Sequence, residues 1–258
     1  FSLREFPAKD LAERLLYGSL PGILAVQALP DRETDLGAYV TTYLEEEIRA
    51  EAVVRNIGDF ARFLELAASE SGGIINLRKL SQEIGVSHTT IGAYYQILED
   101  CLIAERIEPL THSKTRKKLT KSDKYLFFDL GVRRLAAREG TKLSRDTMGL
   151  VFEQFIGLEL LRSAHTNGKG DKLRFWRDPD GPEVDWVVDA DGVYTPIEVK
   201  WTENPASADI RHLEVFLSEY KAAGTGYVVC RVPRKAKLSD RIFAIPWQSI
   251  DEIGSIAF

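Results

Sequence analysis

The chain has only two cysteines in 258 residues. Cys101 and Cys230 lie far apart in apolar surroundings, which excludes a zinc-finger spacing and a disulfide framework and suits a reducing cytoplasm. An excess of positive charge is also lacking. A formal net charge of −5 predicts no general attraction to nucleic acid or acidic membranes, so any such binding must come from a local patch. No apolar run approaches the ~18 residues that a bilayer span needs, and no signal-peptide pattern is present, so no membrane partner is expected. Methionine occurs once, at Met148, and the chain opens on Phe1. It is expected to be a fragment, or a processed piece, of something longer. What remains is the composition of an ordinary globular protein, long enough for two modest domains.

The first fifty residues read as short helices: Leu11–Tyr17, a turn over 18–22, and a longer helix from Asp35 to about Arg55. In the last, Leu36, Tyr39, Val40, Tyr43 and Leu44 share a stripe, and Glu45, Glu46 and Glu47 form a solvated acidic face. From Ile57 the pattern changes. Phe60, Phe63, Leu64 and Ala67 mark one amphipathic helix, ended by Gly72-Gly73. A second helix spans 76–84, Gly85-Val86 turns, and Ser87 caps a third that carries Ile91, Tyr94, Tyr95 and Leu98. A strand over 102–110, a polar loop over 111–124 and a returning strand at 125–128 complete the order of a winged helix. The loop THSKTRKKLTKSDK carries Lys114, Arg116, Lys117, Lys118, Lys121 and Lys124 against one aspartate, a set able to grip phosphates. A plain solvated loop fits the same residues. The helix from Ser87 to Asp100 has no Lys or Arg and ends in Glu99-Asp100. That argues against base readout, for which only Gln96 and His88 are obvious candidates.

After a polar linker at 138–145, the last hundred residues alternate helix and strand. A helix is expected over 149–163, strands over 172–177, 183–189 and 195–201, a helix over 206–222, a buried strand over 226–232, and a short strand at 242–245 before a terminal helix. Within this unit, PEVDWVVDADGVYTPIEVK (182–200) alternates as a half-buried hairpin should, yet it holds Glu183, Asp185, Glu198 and Lys200. Asp191-Gly192 is a strong two-residue turn signal. With Ala190 opposite Val193, counting back sets Asp185 against Glu198 and Glu183 against Lys200, all on one face. Val184, Trp186 and Val188 fall on the other face with Ile197 and Val199. Pro196 cannot donate to the ladder, and a bulge there would shift the register by one.

Opposed carboxylates destabilise a sheet unless solvent, a shared proton or a cation relieves them. A Mg²⁺ ion takes oxygen ligands of this type and keeps several waters. With Lys200 beside it, such a cluster can polarise a phosphodiester and activate a water. Glu153, at the edge of the apolar run 149–157, is the candidate to join from a helix, with Gly157 permitting close approach. The bland alternatives are a solvent-facing Glu153 and a cross-strand Glu183–Lys200 ion pair.

The order helix-Glu, strand with E-V-D, turn, strand with I-E-V-K, then helix and buried strand resembles the PD-(D/E)xK nuclease-like fold. A broader resemblance covers nearly the whole chain. It is similar to the C-terminal portion of bacterial and archaeal AAA-type ATPases that end in domain of unknown function 4143, through LPG (20–22), YVTTYLEEEI (39–48), FARFL (60–64), IGVSHTT (84–90), KSDKYLFFDLG (121–131), GLVFE (149–153), EVD (183–185) and IEVK (197–200). No G-x-x-x-x-G-K-[ST] loop is present, so ATP would be handled only by a missing N-terminal core, with which this region would partner.

The resemblance implies an α/β (α+β) chain in three parts: a helical lid remnant at 1–55, a winged helix at 56–138 and a nuclease-like domain at 139–258. It carries Asp185, Glu198, Lys200 and Glu153 over as the catalytic set, with Asp185, Glu198 and Glu153 holding Mg²⁺. Two functions follow: a Mg²⁺-dependent phosphodiesterase acting on nucleic acid, or a catalytically silent module for protein binding or homo-oligomerisation.

Overall fold

A computed structural model describes residues 10–44, 56–113, 119–166 and 168–255. The chain is mixed α/β: a helical N-terminal region, then a six-stranded mixed sheet with helices. Its contacts divide it into two compact units. Among the described residues, one takes those from 10 to 106 with 124–144, and the other takes those from 107 to 123 with 145–255. Among the described residues, no helix is long and apolar enough to cross a membrane.

In the first unit, α1 (Leu11–Tyr17) starts where Asp10 accepts the Ala12 and Glu13 N–H groups, satisfying donors that a helix start leaves over. Pro21 opens α2 (Pro21–Ala25). The next helix begins earlier than Asp35, because Pro30 and Asp31 suit a first turn. α3 spans Leu29–Ala38 and passes into a π-helical turn, Tyr39–Leu44. The Glu45–Glu47 trio lies outside the described residues.

The helix–turn–helix segment follows its capping signals closely. Asn56 caps α4 (Ile57–Ser69), Asn76 caps α5 (Leu77–Ile84) and Ser87 caps α6 (His88–Asp100). Gly85 ends α5 at φ +86°, a left-handed conformation that glycine adopts without steric cost. Phe60, Phe63, Tyr94 and Tyr95 interlock, with Phe63–Tyr95 edge-on at 4.9 Å and Tyr95 stacked on Tyr125 at 4.3 Å. The strand expected over 102–110 shrinks to β1 (Ala104–Ile107), paired with β2 (Lys124–Phe127). Leu102 is in a positive-φ turn, and Pro109 has no N–H to extend the ladder. Lys124, counted with the basic loop, is a buried β2 residue.

A helix not among those expected, α7 (Leu130–Ala136), is capped by Asp129 and ties this unit together. The Asp129 carboxylate is 1% exposed and accepts from the N–H groups of Gly131 (2.9 Å), Val132 (3.1 Å) and Ser19 (2.5 Å). Arg133 donates to the Ala68 and Ser69 carbonyls of α4. Arg134 donates to the Leu16 carbonyl of α1 and pairs with Glu33 of α3. Helices 1, 3 and 4 thereby share one core with the helix–turn–helix.

The second unit begins with the loop 107–123, whose ends lie along a sheet strand. The Leu110 N–H donates to the Phe175 carbonyl (2.7 Å), and that of Thr120 donates to the Arg177 carbonyl (3.0 Å). The Tyr220 hydroxyl donates to the His112 carbonyl (2.8 Å). α8 (Arg145–Thr166) is longer at both ends than its apolar run. Then come β3 (Lys172–Arg177), β4 (Glu183–Ala190), β5 (Val193–Val199), a 3₁₀ turn (Ser207–Ile210), α9 (Arg211–Glu219), β6 (Gly226–Cys230), β7 (Ala236–Lys237), β8 (Ile242–Pro246), a 3₁₀ turn (Trp247–Ser249) and α10 (Asp251–Ser255). The sheet order is β3-β4-β5-β6-β8-β7. Strands β5, β6 and β8 are parallel, and the remaining neighbours are antiparallel. α9 packs Leu213, Phe216 and Leu217 onto Trp176, Val184, Val187 and Val228.

The Asp129 network yields a test. Asp129→Ala removes a cap and strands the buried Ser19 N–H, so it should cost about 2–4 kcal/mol in urea unfolding. A Cβ at Gly131 would stand 2.5 Å from the Tyr17 carbonyl oxygen, so Gly131→Ala should cost about 1–3 kcal/mol. Wild-type stability in both variants would show that α7 does not hold the unit together.

Candidate functional site

The hairpin that carries the site keeps the register its turn dictates. Asp191 and Gly192 both have positive φ (51° and 86°), as a type I′ turn requires. Ala190 faces Val193, and the ladder runs through Val187–Pro196 to Trp186–Ile197 without a shift. Pro196 causes no bulge. The irregularity is on the other side of β4, where Asp185 and Trp186 together oppose the single residue Phe175 between the pairs Arg174–Val187 and Trp176–Val184.

That bulge corrects the expected division of faces. Val184 shares the α9-side core with Val187, not with Trp186. Trp186 instead donates its indole N–H to the Glu153 carbonyl of α8 (3.1 Å). An extra residue reverses side-chain alternation, a device common beside functional sites.

The four polar positions now separate. Beyond the end of the β4–β5 ladder, Asp185 Oδ2 accepts the Val199 N–H at 2.8 Å. This anchors its carboxylate on the neighbouring strand. Glu198 is 4% exposed. Its Oε1 accepts from Lys200 Nζ at 2.6 Å, and its Oε2 is buried without a hydrogen-bond partner. The expected Glu183–Lys200 pair does not form. Glu183 faces Arg177 across the β3–β4 ladder and pairs with it at 3.0 Å, so Lys200, just past the end of β5, is left to Glu198 two residues back.

Burial pushes the Glu198 carboxyl up to about 7. The Lys200 ammonium opposes that shift, whereas the charges of Glu153 and Glu183 add to it. Burial also works against the Lys200 ammonium, but the carboxylates of Glu198 and Asp185 outweigh it and hold the lysine above its usual range. The fields place Glu153 (α8), Glu183 and Asp185 (β4), Glu198 (β5), Lys200 (just past β5) and Asp209 (the 3₁₀ turn) in one electrostatic neighbourhood.

Among the described residues, no three His, Cys, Asp or Glu side chains group closely enough to hold a metal by themselves. An orphaned, buried acceptor in a field of like charge is nevertheless what a cation would satisfy. One or two carboxylates, completed by waters and substrate oxygens, are an ordinary donor set for Mg²⁺. Lys114, Arg116, Lys117 and Lys118 lie outside the described residues, and Lys121 is exposed.

A family model described as "Domain of unknown function (DUF8612)" matches residues 8–143, just over half of the chain. The chain belongs to the DUF8612 family. A second model, "Domain of unknown function (DUF4143)", matches residues 148–250 and so covers the candidate site of this DUF8612 chain. Two mycobacterial proteins are similar to it: uncharacterized protein Rv2008c of Mycobacterium tuberculosis and uncharacterized protein Mb2031c of Mycobacterium bovis. Each is 26% identical over 255 residues, which covers 95% of this chain and 55% of the relative. The chain thus spans about half the length of the curated relatives it matches.

Sequence reasoning missed Arg177, Asp209 and His212 around this site. His212 Nδ1 accepts the Glu183 N–H at a long 3.5 Å. Arg177 could have been found by extending the β3 register, whereas Asp209 and His212 arrive through the return of α9 and carry no local motif.

The raised carboxyl makes a prediction whose sign can be worked out. The folded chain holds a proton on Glu198 between about 4.5, its unfolded value, and about 7. Glu198 therefore contributes stability below that window and loses it as pH rises through about 7. In chelator, Glu198→Gln should gain on wild type in melting temperature as pH rises from about 4.5 to about 7, and the gap should level off above that. A difference that stays constant with pH would show that Glu198 does not titrate there.

Proposed function

We propose that residues 145–255 form a PD-(D/E)xK-type nuclease-like domain that cleaves nucleic-acid phosphodiesters with Mg²⁺. In this reading the helix–turn–helix and β1–β2 ladder are a winged helix, and both belong to the C-terminal region of a cytoplasmic AAA-type ATPase. The observation that carries the reading is Glu198: a buried carboxylate with one oxygen on Lys200, the other unmatched, next in sequence to the N–H that anchors Asp185.

Asp185 and Glu198 would hold the cation, with Glu153 supporting them from α8. When bound, a divalent cation polarises a phosphodiester oxygen and lowers the pKa of its water. The residues contribute the rest. The Val199 N–H fixes the Asp185 carboxylate, and Trp186 fixes the α8 backbone that carries Glu153. Lys200 is 35% exposed at its side chain against 6% for Glu198, so its ammonium can meet charge that develops on a phosphate while its partner stays buried.

The second reading, a silent module for protein binding or homo-oligomerisation, is favoured by the net charge of −5 and by α6, which lacks Lys and Arg. The two part company in one assay. Single- and double-stranded DNA and RNA are incubated with Mg²⁺ or Mn²⁺ and wild type, Asp185→Asn, Glu198→Gln or Lys200→Ala. Cleavage by wild type that falls at least ~100-fold in each variant is expected. Cleavage that survives all three, or none with any substrate, would leave the binding-module reading.

A further inference from the structure

The basic loop at 111–124 is not the only cationic stretch. From Arg231 to Arg241 the sequence RVPRKAKLSDR holds five cations, Arg231, Arg234, Lys235, Lys237 and Arg241, against the single carboxylate Asp240. This is the connection from β6 through the short edge strand β7 to β8. It sits in the same unit as the candidate site.

The connection reaches the site through the backbone. The Lys200 N–H donates to the Val229 carbonyl (3.0 Å), and the Arg231 N–H donates to the Thr202 carbonyl (2.8 Å). Residues 200–202 and 229–231 therefore run side by side at the carboxyl ends of the parallel strands β5 and β6. This is the edge of an α/β sheet at which ligands collect. The Arg231 guanidinium lies 4.4 Å from the centroid of Trp201, the residue after Lys200, and pairs with Glu203. Further along, Lys235 sits over Phe243 (5.1 Å) and Tyr227 (5.8 Å). Arg234 and Lys235 are exposed, and neither has a carboxylate within ion-pair distance among the described residues. A chain of net charge −5 thus presents two uncompensated cations, with a third stacked on an aromatic ring, leading away from Lys200.

We propose that the Arg231–Lys237 turn is the seat for a nucleic-acid backbone. Arg234 and Lys235 would take successive phosphates, and Arg231 on Trp201 would hand the strand to Lys200. The cationic side chains fit a polyanion, and an Arg-covered indole suits a base or sugar beside it. The proposal rests on the phosphodiesterase reading for the identity of the anion, yet it concerns binding and not cleavage. Lysines on an edge strand also serve to discourage strand addition, and the experiment separates that role from this one.

Binding of fluorescein-labelled single-stranded DNA, duplex DNA and RNA is measured by anisotropy in chelator, from about 50 to 200 mM salt. Wild type is compared with Arg234→Ser/Lys235→Ser and with a control of equal charge change at the far edge of the sheet, Lys169→Ser/Lys172→Ser. The turn variant should bind roughly ten-fold more weakly, and its slope of log K against log salt should be shallower by about 1.8 on duplex. The control should match wild type in both. Equal losses in both variants, no loss in the turn variant, or no binding of any probe by wild type would overturn the proposal. Binding through the turn with no cleavage at all fails the phosphodiesterase reading alone, and wild-type cleavage with undiminished binding by the turn variant fails this proposal alone.

Discussion

A carboxylate shut away from water needs a partner for each oxygen, and Glu198 has a partner for one. Ionising it at neutral pH leaves negative charge in a low-dielectric place, next to the fields of Glu153 and Glu183. Three outcomes relieve that: a proton, the Lys200 ammonium or a further cation. Much of the local architecture bears on this choice. The bulge at Asp185-Trp186 sends the indole to α8, and the Val199 N–H restrains Asp185. Arg177 pairs with Glu183, so the three site carboxylates of the hairpin are not left to repel one another across one ladder.

Legibility in the sequence followed the range of the forces involved. Caps and turns are local, and Asn76, Gly85 and Ser87 bound their helices where short-range chemistry places them. The Asp191-Gly192 turn set the β4–β5 register for the same reason. The bulge was not legible, because it depends on how β3 meets β4 and leaves no mark inside either strand. Pro196 was the visible irregularity, but its missing N–H disturbs nothing in the register. Glu183 was assigned to Lys200 by counting along a hairpin. Its real partner, Arg177, lies on the strand that the count left out. The helix at Leu130–Ala136 has a local signal only in its cap, Asp129, while the groups that tie it down, Ser19, Leu16, Ala68 and Glu33, are remote in sequence.

Charge is distributed against the average. The chain is acidic as a whole, and the helix that would read bases in a winged helix carries no Lys or Arg. Its two densest basic stretches, 111–124 and 231–241, fall between strands instead. A fold can keep a net negative charge for solubility and still concentrate positive potential within a few residues of a carboxylate site.

The loop whose ends are hydrogen-bonded along β3 has a consequence for how the molecule can be divided. The backbone leaves the first unit near residue 107, returns near 123 and leaves again near 144. Among the described residues, the second unit is therefore assembled from two separate stretches of sequence. Cutting the chain at residue 144 would release a sheet stripped of its flanking segment, without the hydrogen bonds that Leu110 and Thr120 donate to the Phe175 and Arg177 carbonyls. A single cut therefore cannot separate this unit with all its described segments.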